Sequence, residues 1–84
     1  MFGQKNLKIV CGGTTRNNST VRQTRDIKSK VDLDSINKAS AGPIAELLTE
    51  TGVYNGYVHI MDGSKKVAQL NVNASDCSAM ELCR

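Results

Sequence analysis

The chain predicts a small single α+β domain in which two β-hairpins form an antiparallel sheet covered by helix, in the order ββ-α-ββ-α. Three observations carry that expectation. Apolar and polar residues alternate around Leu7, Ile9 and Cys11 and again from Val58 to Val72, the period of a half-buried strand. Between them Ile44, Leu47 and Leu48 recur at helical spacing, after Pro43 and before Gly52. Turn-forming clusters, "CGGTTRNNST" and "DGS", separate the extended runs.

Residues 1–30 read as the first hairpin. In "NLKIVC" Leu7, Ile9 and Cys11 share one face, with Lys8 and Val10 on the other. After the polar tip, "STVRQTRDI" alternates Val21, Gln23, Arg25 and Ile27 against Thr20, Arg22, Thr24 and Asp26. Arg22 therefore projects to solvent, while Arg25 lies along the buried side or ends the strand. Residues 34–51 form the helical segment. Asp34 or Ser35 can cap a short first turn, and Pro43 opens a second, clearer helix closed by Gly52. A proline inside one continuous helix is costly, so a break is expected near Gly42.

Residues 53–73 read as the second hairpin. Val58 and Ile60 share a face with Ala68, Leu70 and Val72, so even positions pair with even ones and the loop must hold an odd number of residues. That argues for a three-residue connection with Gly63 in the left-handed position, rather than a two-residue Asp62-Gly63 turn. The opposite face carries Tyr57, His59, Met61 and Val67, apolar enough to meet a protein partner or to pack under the first hairpin. Residues 75–84 are expected to form a C-terminal helix with Ser75 as N-cap, Asp76 in its first turn, Arg84 at its end and an apolar side of Ala79, Met80, Leu82 and Cys83.

Eighty-four residues, 39% of them hydrophobic, without Trp and with one Phe and two Tyr, require a core of Val, Ile, Leu, Ala and Met. A domain of this size buries roughly 60–65% of its unfolded surface, so a partner or homo-oligomer is a natural source of extra stability. No apolar run approaches the ~18 residues of a membrane span, and the N-terminus lacks the pattern of a signal peptide. The expected location is cytoplasmic, or host cytoplasm or virion for a viral protein. Cys11, Cys77 and Cys83 are an odd number without a secretory signal and read as small buried thiols.

Charge is distributed unevenly. Residues 1–30 hold Lys5, Lys8, Arg16, Arg22, Arg25, Lys28 and Lys30 against Asp26, a net of +6, while residues 31–84 hold four cations against seven acids, a net of −3. A basic third joined to an acidic remainder points to a polyanion, to an acidic protein surface, or to head-to-tail contact between copies.

Enzyme chemistries find little support. His59 is the single histidine and lies mid-strand, with no reason to meet a given Ser or Cys. Cys77 and Cys83 stand six apart, on well-separated faces of the expected C-terminal helix, so a metal site of Cys77, Cys83 and His59 is open only if that helix does not form, and no cofactor is expected. Glu46 and Glu50 stand four apart, as on any solvated helix face. No phosphate-binding Gly-Lys-Ser/Thr follows Gly12-Gly13. The expectation is a non-enzymatic nucleic-acid-binding module, for RNA or DNA. Arg16, Asn17 and Asn18 at the hairpin tip would reach phosphate or base edges, and Lys5, Lys8, Arg22, Arg25, Lys28 and Lys30 would contact flanking backbone. Phe2, Tyr54 and Tyr57 are its only aromatic rings besides His59, which argues against single-strand binding by stacking. The alternative is a viral or phage structural module, or an inhibitor of a host protein, acting through oligomerisation or the face of Tyr57, His59, Met61 and Val67.

Overall fold

A computed structural model describes residues 4–74 and 76–83. The elements run β1 (Gln4–Thr14), β2 (Thr20–Lys30), α1 (Leu33–Thr51), β3 (Asn55–Asp62), β4 (Lys65–Asn73), β5 (Asp76–Cys77) and β6 (Glu81–Leu82). The strands form one antiparallel sheet in the order β2-β1-β3-β4-β5, with β6 also paired to β4. Helix α1 packs on one face of it, chiefly over β2 and β1.

The strand alternation sets the core. Register pairs Ile9 with Arg25 and Ile60, and Cys11 with Gln23 and Val58, so odd residues of β1 and β2 share the helix face with even residues of β3. Leu7, Ile9, Val58, Ile60 and Leu70 are all buried there against Ile36, Ile44 and Leu47 of the helix. The opposite face of the sheet is left open, with no element lying across it among the described residues.

Helix α1 is a single 19-residue segment through Pro43, which corrects the expected break near Gly42. Its buried positions Ile36, Ser40, Ile44, Leu47 and Thr51 continue in phase past the proline. Packing of that continuous stripe outweighs a loss of about 3 kcal/mol for an interior proline. The buried Ser40 hydroxyl is satisfied by donating to the Ile36 carbonyl at 2.5 Å. The N-cap is Asp32 rather than Asp34 or Ser35: its carboxylate accepts from the Ser35 backbone N–H at 2.9 Å and from the Ser35 hydroxyl at 3.0 Å. Those two bonds lower the Asp32 pKa. Gly52, at φ 68°, ends the helix as expected, its N–H donating to the Leu48 carbonyl.

The second hairpin resolves its parity differently from the expectation. Asp62 pairs with Lys65 across a two-residue Gly63-Ser64 loop, with Gly63 at φ 63°. The odd residue sits in the strand: pairing shifts from Ile60–Ala68 to Met61–Lys66, leaving Val67 as a bulge.

The C-terminal helix does not form. Asp76–Cys77 and Glu81–Leu82 are instead short strands along β4, where Ser78 N–H donates to the Asn71 carbonyl and Cys83 N–H to the Val67 carbonyl, both at 2.8 Å. The proposed cap Ser75 and the terminal Arg84 lie outside the described residues. The competing interaction is the open backbone of β4, which this segment covers while Met80 enters the core. The Ser78 hydroxyl also accepts from the Asn71 backbone N–H at 2.7 Å, a side-chain bond of the kind that competes with helix. Cys77 is consequently exposed rather than buried; Cys11 is buried, 3.8 Å from the Thr51 hydroxyl. Burial raises the Cys11 pKa, partly offset by that contact.

Candidate nucleic-acid interface

The sequence-selected cations divide among three places. Lys8, Arg22, Lys28 and Lys30 are exposed at even positions and share the open face of the sheet. Arg16, Asn17 and Asn18 are exposed at the hairpin tip. Lys5 and Arg25 sit at odd positions, on the helix side.

Arg25 is held there by two carboxylates. Its guanidinium pairs with Glu46 and, at 3.0 Å, with Glu50, tying β2 to α1. Glu46 and Glu50 would repel each other one turn apart, and the cation between them relieves that repulsion. Lys5 pairs with Asp62 at 3.0 Å across the sheet. Both cations are therefore partly neutralised by their own chain.

The tip is ordered by its own hydroxyl and backbone groups. Thr15 N–H donates to the Ser19 carbonyl at 2.9 Å, and Asn18 N–H to the Thr15 carbonyl at 3.0 Å. The Thr15 hydroxyl accepts from the backbone N–H groups of Asn17 and Ser19, each at 3.3 Å. Asn18 takes φ 62°, a left-handed conformation asparagine tolerates better than most residues. The Arg16 guanidinium lies 4.9 Å from the centroid of the Tyr54 ring, within cation–π range.

Gly12 and Gly13 belong to the strand rather than to the loop, and their role is close approach. A Cβ on Gly12 would stand 2.6 Å from the Tyr57 hydroxyl oxygen, and one on Gly13 only 2.2 Å from the Asn55 carbonyl oxygen. Tyr57 thus lies down across β1 where no side chain intervenes. Beside it on β3, the His59 ring stacks on the tyrosine with centroids 4.3 Å apart and planes inclined by 26°. Val10 is the cross-strand neighbour of His59, and Gly12 faces Arg22 on one side and Tyr57 on the other. Met61 completes the row on β3, next to Lys8 and Lys66. Val67 leaves this face: as the bulged residue it is buried with the core, only 5% exposed. Phe2 lies outside the described residues.

Lys66, Gln69 and Asn71 were not singled out from the sequence, yet register brings all three beside Met61, His59 and Tyr57. The sequence signal for this patch was the presence of glycines inside strand patterns, which marks close approach of a backbone or ring.

Burial, followed by the Lys66 charge, lowers the His59 pKa below its usual 6.5. The neutral ring is favoured in the folded state, so protonation favours the unfolded chain. Stability is then retained above the unfolded-state value and falls as pH drops through it toward the folded-state value. Thermal melts between about pH 7.5 and pH 5.5 are expected to show a declining Tm that His59→Gln flattens. An unchanged slope in that variant would assign the decline to other groups.

The fold and site define an α+β domain with a helix on one face of an antiparallel sheet and a cationic, partly aromatic surface on the other. Comparison with protein-family models, with curated proteins and with solved structures finds no match. No helix among the described residues is long and apolar enough to cross a membrane.

Proposed function

We propose that this protein is a non-enzymatic nucleic-acid-binding module that contacts phosphate backbone with the open face of its sheet and the adjoining hairpin tip. One observation carries the reading: the charge asymmetry of the sequence becomes an asymmetry between layers. On β1 and β2 the open face presents Lys8, Arg22, Lys28 and Lys30 against Asp26, whereas the helix with its cap presents Asp32, Asp34, Glu46 and Glu50 against Lys38. Such a molecule orients in the field of a polyanion, with its basic face inward. Arg16 extends the cationic surface to the tip. Arg25 and Lys5, engaged with carboxylates, contribute less.

The test is titration of labelled RNA and duplex DNA over a range of salt. Each neutralised phosphate contributes a slope of about −0.7 to −0.9 in the logarithmic plot of affinity against salt. The combined Lys8→Glu, Arg22→Glu and Lys28→Glu variant is expected to lose at least tenfold in affinity and about two units of slope or more, on the basis of those per-contact values. Lys65→Glu, on the helix side of the second hairpin, leaves both unchanged. Binding that survives the triple reversal contradicts this interface. Failure of the wild type to bind even at low salt would favour the second reading, in which Val10, Tyr57, His59 and Met61 form the apolar centre of a protein-binding face.

A further inference from the structure

We propose that the stacked Tyr57–His59 pair is a base-stacking platform, so that the nucleic acid held by this face is single-stranded. This rests on the nucleic-acid reading above and assigns the chemistry of the ligand within it.

Three features of the site support the assignment. First, the rings are placed for it: they stack on each other on β3, an inner strand of the sheet, both partly exposed on the face that no other element covers among the described residues. Tyr57 is fixed before any ligand arrives, because its ring rests over Gly12 on one flank and against His59 on the other. A platform already immobilised forfeits little side-chain entropy on stacking. Second, the surroundings suit an unpaired base. Val10, almost fully buried, lies on β1 beside His59, while Asn71 stands on β4 opposite Tyr57 with an amide group able to meet a base edge. The neighbouring Gln69 amide accepts from the Lys66 ammonium at 2.6 Å and donates to the Glu81 carboxylate at 3.3 Å. Arg22 lies across β1 from Tyr57, and Lys8 and Lys66 flank Met61, so cations border the rings on both sides. Alternation of a flat ring with flanking cations fits a chain that alternates base with phosphate.

Third, the shape disfavours a duplex. A B-form major groove about 12 Å wide accepts a helix or a two-stranded ribbon, whereas four strands spaced about 4.8 Å apart present a surface too broad to enter. The bases of a duplex are paired and stacked on each other, and cannot lie on Tyr57 without being extruded. A single strand laid across the sheet meets neither obstacle.

The deciding experiment titrates the full chain with three labelled oligonucleotides: a single strand, the duplex of the same sequence, and an abasic strand of the same length. The single strand is prepared as RNA and as DNA. The base-bearing strand is expected to bind roughly tenfold or more tighter than the abasic strand, from the usual contribution of one or two stacked bases. Tyr57→Ala should remove that advantage while leaving the abasic strand bound as before, and Tyr57→Phe should preserve it. Because Tyr57 also packs on Gly12, the comparison of ligands on the wild-type protein keeps the test valid if the alanine variant is unstable. Tyrosine fluorescence of the Tyr54→Phe protein, where Tyr57 is the only reporter, should be quenched by the base-bearing strand alone. Equal affinity for abasic and base-bearing strands, with no quenching, would overturn the platform while leaving a phosphate-gripping face intact. Absence of binding to all three would remove both. A preference for RNA over DNA among single strands would locate contacts to the 2′-hydroxyl; equal binding would leave stacking and phosphate as the shared basis.

Discussion

Replacing Gly56 by alanine is expected to unfold most of the stability of this domain. The added Cβ would stand 2.0 Å from the Gly12 carbonyl oxygen, 2.8 Å from the Gly13 Cα and 2.9 Å from the Gly12 carbonyl carbon. All three are backbone atoms, so no rotamer change relieves the clash. Relief requires β1 and β3 to separate, and these are the inner strands on which Ile9, Cys11, Val58 and Ile60 are assembled. A cost of about 3–5 kcal/mol is reasonable for such a forced rearrangement. A domain of this length has a total stability of only about 4–13 kcal/mol. Thermal unfolding followed by circular dichroism should show Tm lowered by about 15–30 °C, or no cooperative transition at all. Gly42→Ala is the matched control. Its Cβ meets nothing within 4 Å, it lies inside α1, and the same substitution there should stabilise by about 0.5–1 kcal/mol. A Gly56→Ala protein melting within a few degrees of wild type would contradict the close strand approach that lets Tyr57 lie across Gly12.

Leu47→Ala should be the most damaging truncation on the helix. Leu47 is fully buried and, with Ile36 and Ile44, is one of three large apolar side chains that α1 buries in the core. α1 is the only helix among the described residues, so no second helix can shift in to fill the cavity. A loss of about 2–5 kcal/mol is expected, at the upper end if the site stays open. Leu48, half-buried at the margin of the same cluster, should cost distinctly less when truncated. Urea titrations read both: the midpoint should fall with the slope unchanged for a simple loss of packing. A cost for Leu47→Ala below about 1 kcal/mol would mean that the helix contributes little to the core, against the burial described above.

The two hairpins, the helix and its glycine cap were legible because they depend on local signals: alternation, spacing and turn chemistry. The departures occur where a non-local interaction decided the outcome. Pro43 reads as a helix start in isolation, but Ile36 and Leu47 bury against the same sheet from opposite sides of it. Residues 76–83 carry an apolar side that suits a short helix, yet the unpaired edge of β4 offers backbone partners, and Met80 alone of that side is well buried while Leu82 remains 42% exposed. In the second hairpin the expected odd-numbered loop does not occur: the loop holds two residues, and a strand bulge satisfies the same parity. Placing it at Val67 moved that residue from the Tyr57 face into the core.

The site shows the same division. Charge segregation was visible from composition, but which cations share a face depends on strand parity, and that parity turns Arg25 toward Glu46 and Glu50. The pairing of β1 with β3 is not inferable from either hairpin alone. It is this pairing that sets Gly12 beneath Tyr57 and converts a count of few aromatics into a local cluster of two rings among cations.

Amide chemical-shift mapping during titration with a short single-stranded RNA would locate nucleic acid on, or away from, the open face of the sheet. Changes are expected to concentrate at Lys8, Val10, Arg22, Thr24, Tyr57, His59 and Gln69 and to shrink with added salt, with the exposed side of α1 silent. Changes centred on Asp34, Glu46 and Glu50, or a spectrum unaltered at low salt, would contradict binding on that face.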